Sequence, residues 1–126
     1  MIALMAAGLA LLAAPDETIS GYADREATYV VTELAGQPFE ASASVRFPEP
    51  GLVQGRGPCN AYSASQNAPY PWIQIDPIMA TKVACPDLAA EDAFFAFLSG
   101  ATLVEVSGPV IILTNEAGET LVARAE

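Results

Sequence analysis

The sequence predicts a mainly β fold, a small antiparallel barrel or a strongly curved sheet, with one α-helix. Short segments rich in β-branched and aromatic residues recur along the chain, and Gly, Pro and Asn turn residues separate them. Only one segment carries convincing helix signals, and strands without interleaved helices argue against a parallel sheet. The 126 residues match one ordinary domain, and a hydrophobic content of 52% is enough to build a core.

The first half of the domain is predicted to be extended. Residues 29–34 are β-branched and aromatic and end before the turn residues Gly36 and Pro38, which predicts a first strand. Across residues 41–47, small or apolar side chains alternate with polar ones, so this strand has one inward face. Residues 52–57 form a third predicted strand, whose two glycines indicate a bulge, a tight bend or a close backbone approach. Shorter extended pieces are predicted at residues 62–65, 72–76 and 79–84.

The one convincing helix covers about residues 88–99. Pro86 and an Asp87 cap precede it, and Gly100 follows at the C′ position. Five side chains share one helical face and are expected to pack against the sheet: Ala90, Ala93, Phe94, Phe97 and Leu98. Glu91 and Asp92 point away from that face, so both are expected to be solvated, with favourable charge near the helix N-terminus.

Three short strands are predicted after the helix, at residues 102–106, 110–114 and 120–124. The connections between them contain Gly and are only a few residues long. Such short turns predict an antiparallel meander.

The charge and composition of the chain exclude several function classes. Five Lys and Arg against fifteen Asp and Glu give a formal net charge of −10, which makes nucleic acids and anionic lipid surfaces poor partners. The absence of His excludes catalysis and metal binding that depend on His. The acids show no motif that places two of them at hydrolytic separation, so a carboxylate hydrolase is a minor alternative. We predict no catalytic residue, cofactor or metal site.

The N-terminus predicts export. Residues 2–14 carry no charged or polar side chain, and this run is too short to span a bilayer but typical of a signal-peptide core. Cleavage is expected near residue 14 or near residue 23. Residues 1–23 are therefore a predicted signal peptide with a short linker, residues 24–126 a single domain, and the mature chain has no stable membrane span. A buried N-terminal helix, or a start codon assigned too far downstream, is the alternative.

Cys59 and Cys85 are the only cysteines, and both lie next to predicted strand ends. In an exported chain two cysteines predict a disulfide. Closing a loop of 26 residues would stabilise the fold by roughly 3 to 4 kcal/mol. A reactive thiol or a zinc site is disfavoured, because no His is available as base or ligand. Asn60, directly after Cys59, is interpreted as a structural turn residue.

The chain resembles the META domain family, also called the HslJ-like heat-shock family of bacterial envelope proteins. The likeness covers Tyr29 to the C-terminus and rests on three stretches: Leu34-Ala35-Gly36-Gln37-Pro38, Pro58-Cys59-Asn60-Ala61-Tyr62 with Gly57 before it, and Thr81-Lys82-Val83-Ala84-Cys85-Pro86. The resemblance implies an exported, periplasmic or secreted, lipocalin-like β-barrel with one helix. It also implies a link to heat or antibiotic stress, with no established enzymatic activity and no catalytic residues to carry over.

The turn at residues 67–72 is a candidate binding loop, because it holds Tyr70, the only Trp of the chain, Trp72, and two prolines. Rigid aromatic side chains on a loop offer contact area at low entropic cost. The alternative is that Trp72 folds inward to cap the barrel, with Tyr70 resting on it.

The function favoured by the sequence is therefore non-enzymatic. We expect a protein that binds an envelope protein or a small amphiphile, or that helps to maintain the envelope under stress. The alternative is a structural or accessory β-barrel module without a ligand. A hollow interior would favour small-molecule binding, whereas a filled interior would favour the structural role.

Overall fold

The computed structural model describes residues 15–126, so the predicted signal-peptide core at residues 2–14 lies outside the described residues. The described chain contains one α-helix, α1, at Leu88–Gly100, and a single 3-10 turn at Ile19–Gly21. Its nine strands are β1 (Tyr29–Leu34), β2 (Gln37–Pro38), β3 (Ser44–Arg46), β4 (Gly51–Arg56), β5 (Ala61–Gln66), β6 (Ile78–Ala80), β7 (Ala101–Ser107), β8 (Val110–Asn115) and β9 (Thr120–Ala125).

The nine strands form one antiparallel sheet that curls into a half-barrel, which confirms the predicted fold class. The strand order is β6-β5-β4-β3-β1-β9-β8-β7, and the short strand β2 pairs with β1 alone. Ala35 and Gly36 form the turn between β1 and β2, and their φ values of 52° and 80° are those of a tight hairpin turn. The predicted meander after the helix is confirmed, since β7 pairs with β8 and β8 with β9.

The segment between β5 and the helix contacts both edges of the curled sheet. The Ile73 amide donates to the Thr102 carbonyl at 3.0 Å, on β7, and the Asp76 amide donates to the Ser65 carbonyl at 3.2 Å, on β5. The strand predicted at residues 72–76 is reduced to a single bridge between Trp72 and Leu103. The reason is geometric, because a chain that crosses from one sheet edge to the other cannot stay paired with either.

Packed side chains fill the interior of the half-barrel. The largest fully buried side chains include Tyr29 of β1, Phe47 directly after β3, Phe94 and Leu98 of α1, and Ile111 of β8. The alternation predicted for residues 41–47 is confirmed at Ala43, Val45 and Phe47, which are buried, whereas Ala41 is only partly buried and β3 is shorter than the predicted strand. Their burial places the core on the concave face of the sheet.

The helix packs onto this core through Phe94, Phe97 and Leu98, as predicted. The Phe94 ring lies edge-on to Tyr62, with 5.7 Å between ring centroids. The prediction that Ala93 shares the buried face is wrong, because its side chain is exposed. Gly100 is the last helical residue rather than a C′ cap, since β7 begins directly at Ala101.

The two glycines of the third predicted strand mark close backbone approaches rather than a bulge. The pairing of β4 with β3 and with β5 runs through Gly55 without a register shift. A Cβ at Gly55 would collide with the Ser44 carbonyl oxygen. This space also lets the Tyr62 hydroxyl donate to the same carbonyl at 2.8 Å.

Residues 16–25 pack against the sheet domain. Ile19 is fully buried in the core, and the Asp16 carboxylate accepts hydrogen bonds from the Thr18 and Ser20 hydroxyls and an ion pair from Arg25 at 2.9 Å. Burial raises the pKa of Asp16, but these donors outweigh it, so the pKa lies below its ordinary value. Residues 16–25 thus belong to the packed part of the described chain.

Candidate functional site

Cys59 and Cys85 form a disulfide, as predicted, with 5.6 Å between their Cα atoms. The bridge joins the turn between β4 and β5 to the loop that enters α1. It therefore connects the two cysteine-containing motifs that the sequence singled out.

The side chain of Asn60 connects the same two segments by hydrogen bonds, which agrees with its interpretation as a structural residue. Its Oδ1 accepts from the Val83 amide at 2.6 Å and from the Thr81 hydroxyl at 2.8 Å. Its Nδ2 donates to the Val83 carbonyl at 3.0 Å and to Glu91 Oε2 at 2.6 Å. With 3% of its surface exposed, Asn60 has its buried polar atoms satisfied, as a buried amide requires.

Glu91 is buried, with 3% of its surface exposed, so the prediction that it is solvated is wrong. Its Oε1 accepts hydrogen bonds from the backbone amides of Cys59 at 3.0 Å and Asn60 at 2.7 Å. Burial raises the pKa of Glu91, but the hydrogen bonds from Asn60 and Cys59, together with the charge of Arg56, outweigh it and lower the pKa. Glu91 is therefore an ionised cap of the turn, not a solvated helix residue.

Gly57 makes room for this carboxylate. A Cβ at position 57 would lie 2.5 Å from Glu91 Oε1. The helical periodicity alone hides this role, because Glu91 lies beside the apolar face rather than within it. The sequence signal that could have found Glu91 is the tight turn itself, whose successive amides and glycine need an acceptor from another element.

A groove of about 480 Å³ lies directly beside this cluster. One wall is formed by Ile78, Ala80 and Val83 and the other by Leu88, Phe95 and Ala96 of α1. Asn60 and Glu91 also line it, and Lys82 and Asp92 supply its exposed charges. Val83 is 61% exposed and Leu88 40% exposed, so two apolar side chains face solvent at the groove.

Tyr70 of the candidate binding loop is anchored in the structure. Its hydroxyl accepts a hydrogen bond from the Val106 amide at 3.0 Å, at the outer edge of β7. Its own amide donates to the Glu17 carbonyl at 2.7 Å, and its ring stacks on Tyr22 with 4.1 Å between centroids. Tyr70 therefore covers part of a strand edge that would otherwise be open.

Trp72 points outward, with 59% of its surface exposed. It lies directly opposite Leu103, which is 43% exposed, so the two side chains share the outer face of the sheet. The alternative that Trp72 caps the barrel from inside is wrong, because the neighbouring inward positions belong to Ile73 and Val104, which are 4% and 2% exposed.

A curled antiparallel half-barrel with one helix and a disulfide between the β4–β5 turn and the helix entry defines a class of small β domains. The META domain family model matches residues 23–126, and the chain belongs to this family. A comparison with curated proteins finds no significant sequence match.

Solved structures share the fold at low sequence identity. An NMR structure of a protein from Burkholderia xenovorans is 19% identical, with a TM-score of 0.65, and the match covers 90% of this chain and 92% of that one. A crystal structure of a DUF4847 family protein from Bacteroides vulgatus is 14% identical, with a TM-score of 0.63 and coverage of 80% and 92%. A further NMR structure is 19% identical, with a TM-score of 0.62 and coverage of 79% and 89%.

Proposed function

We propose that this META-domain protein is exported and works in the cell envelope by binding a partner protein, without catalysis. The observation that carries the proposal is that the side chains of Trp72 and Leu103 lie opposite each other and are both exposed. The loop that holds Trp72 is bound to β7 by hydrogen bonds. Trp is enriched among the residues that dominate binding energy at interfaces. The Ile73 amide donates to the Thr102 carbonyl of β7, and the Val106 amide of β7 donates to the Tyr70 hydroxyl. These hydrogen bonds pre-order the loop, which lowers the entropic cost of binding.

The filled interior favours a partner on the outer surface over an amphiphile inside the barrel. Tyr29, Phe47 and Phe94 occupy the space that a lipocalin-type ligand would need. An interior ligand would have to displace fully buried aromatic side chains, which costs several kcal/mol each.

The state of the buried acids supports a non-enzymatic role. Glu91 and Asp16 are the two acids in the described residues with lowered pKa values, and both carboxylates are engaged by several donors. A general acid needs a raised pKa, and a nucleophilic carboxylate needs access to substrate. Neither group meets these requirements.

Export is supported by the disulfide and by the apolar run at residues 2–14. Disulfides persist in oxidising compartments such as the periplasm. In the described residues no helix has the length and hydropathy to cross a membrane. Because Asp16 and Ile19 belong to the packed domain, we place processing before Asp16 rather than near residue 23.

Cell fractionation with thiol labelling tests export. We expect the protein in the envelope fraction, with both cysteines unreactive toward the thiol label until reductant is added. We expect cleavage between residues 15 and 16 or slightly earlier, so that Asp16 remains in the mature chain. Cytoplasmic protein with two free thiols would contradict the proposal.

A role under stress is also part of the proposal, and it rests on the family to which the chain belongs. Deletion of the gene is expected to sensitise cells to heat or antibiotics.

A purely structural module is the second candidate, favoured by the filled interior. The two candidates differ at Trp72. A structural module tolerates Trp72→Ala without consequence, whereas a binding protein loses its partner while keeping its stability.

A further inference from the structure

The outermost strand β6 has one free edge in the described chain. The Thr81 amide donates to the Ala61 carbonyl at 3.2 Å, and the pairing runs on through Met79 opposite Ser63. Because hydrogen-bonded pairs alternate along an antiparallel ladder, the main-chain groups of Ile78 and Ala80 point away from β5. Within residues 15–126 these outward groups have no main-chain partner.

The free edge lies beside side chains of α1 that line the same groove. Ile78 and Ala80 sit opposite Ala64 and Tyr62, both buried, so their side chains lie on the concave face that the helix covers. The helix residues at the groove are spaced by three and four positions and form one face: Leu88, Glu91, Asp92, Phe95, Ala96 and Ser99. The groove thus combines an unpaired strand edge with an apolar helix face.

The wall beyond β6 is held rigidly. Asn60 fixes both main-chain groups of Val83, and the disulfide fixes Cys85 two residues later. Glu91 connects the helix side to the same turn. The two cysteine-containing motifs, which the proposed binding at Trp72 does not use, therefore shape this groove. A groove that is already formed binds a ligand at lower entropic cost.

We propose that an extended segment of a partner protein binds in this groove as an additional strand along β6. Strand addition satisfies the free main-chain groups of Ile78 and Ala80, which an acyl chain cannot do. Alternate apolar side chains of the segment pack between Val83 and Leu88 against Phe95. This site is independent of the Trp72 surface, and either can fail without the other.

Charge selects the kind of segment. The chain carries a net charge of −10, and the acids Glu91 and Asp92 line the groove against Lys82 as its one basic residue. A neutral or basic segment is therefore favoured, and an acidic segment or an anionic lipid surface is repelled. A second copy of this chain is disfavoured for the same reason.

A random peptide library displayed on phage tests the proposal. The library is selected for binding to wild type, and phage that also bind Ala80→Pro are removed. Proline at position 80 removes an outward amide and projects its ring into the groove, while the bonds between β6 and β5 remain. We expect enriched peptides with alternating apolar residues and Lys or Arg. Their affinity should fall about tenfold or more in Ala80→Pro and remain unchanged in the matched control Met79→Ser, whose side chain lies on the outer face.

Hydrogen exchange of the Ile78 and Ala80 amides gives the second readout. A selected peptide is expected to protect both amides. Val83→Lys, which removes an apolar contact and repels a basic segment, is expected to weaken binding even if Ala80→Pro does not fold. The proposal would be overturned if the selection enriched no peptide that binds wild type better than both groove variants. Amides already protected in a concentration-dependent dimer would overturn it in favour of a second copy, and equal binding to Trp72→Ala and wild type would confirm that the two surfaces are separate.

Discussion

Glu91 Oε1 and the backbone amide of Asn60 lie 2.7 Å apart in the interior of the domain, and this contact ties the helix to the turn between β4 and β5. The same carboxylate caps the Cys59 amide and accepts from the Asn60 side chain. Gly57, the disulfide between Cys59 and Cys85 and the loop at residues 81–85 surround this carboxylate. The cluster therefore fixes the geometry of the groove.

Removing this carboxylate is expected to destabilise the fold strongly. Glu91→Ala leaves two turn amides and one side-chain donor without their acceptor, so the free energy of unfolding should fall by about 3 kcal/mol. Urea unfolding measures the loss. Asp92→Ala is the matched control, since its exposed neighbouring side chain should change stability by less than about 0.5 kcal/mol. Equal effects of the two substitutions would contradict the role of Glu91.

The contribution of Glu91 is expected to depend on pH. Its folded pKa lies below the ordinary value of 4.5, so its ionised form stabilises the folded state above pH 4.5, and this stabilisation is lost as the pH falls through the folded pKa. The difference in unfolding free energy between wild type and Glu91→Gln should therefore shrink below pH 4.5. Urea titrations from pH 7 to pH 3 measure it, and a difference that stays constant would show that the carboxylate charge contributes nothing.

Phe94 is expected to be the central contact between the helix and the sheet. It is fully buried against Tyr62 and Phe39, so Phe94→Ala should lower the free energy of unfolding by about 3 to 5 kcal/mol through lost burial and a cavity. The adjacent Phe95 is only partly buried and faces the groove, so Phe95→Ala serves as the control with a smaller loss. A loss below 1 kcal/mol in Phe94→Ala would mean that the helix is not docked on the core.

The two aromatic residues of the loop are expected to behave differently in unfolding experiments. Trp72→Ala should lower stability by less than about 1 kcal/mol, because its side chain is mostly exposed. Tyr70→Ala removes a hydrogen bond to Val106 and the stack on Tyr22, so it should cost about 2 kcal/mol. If Trp72→Ala were the more damaging of the two, Trp72 would have a structural role and the binding surface would be lost.

Local patterns predict most of the sheet and the helix. The alternation at residues 43–47, the helix at residues 88–100 and the meander after it follow from side-chain periodicity, which depends on near neighbours. The positions of Trp72 and Glu91 depend on contacts with residues about thirty positions away, Leu103 and Asn60. Periodicity carries no information about such pairs, and for that reason the outward Trp72 and the buried Glu91 do not follow from the periodicity of the sequence.

Photo-crosslinking from position 72 in living cells tests the central claim, that this protein binds a partner through the surface of Trp72 and Leu103. Trp72 is replaced by p-benzoylphenylalanine, and exposed Ser42 serves as the matched control. Ser42 precedes β3, which is separated from β7 by β1, β9 and β8. A discrete crosslinked product with an envelope protein is expected from position 72, and none from position 42. No discrete product from position 72, or the same products from both positions, would contradict it.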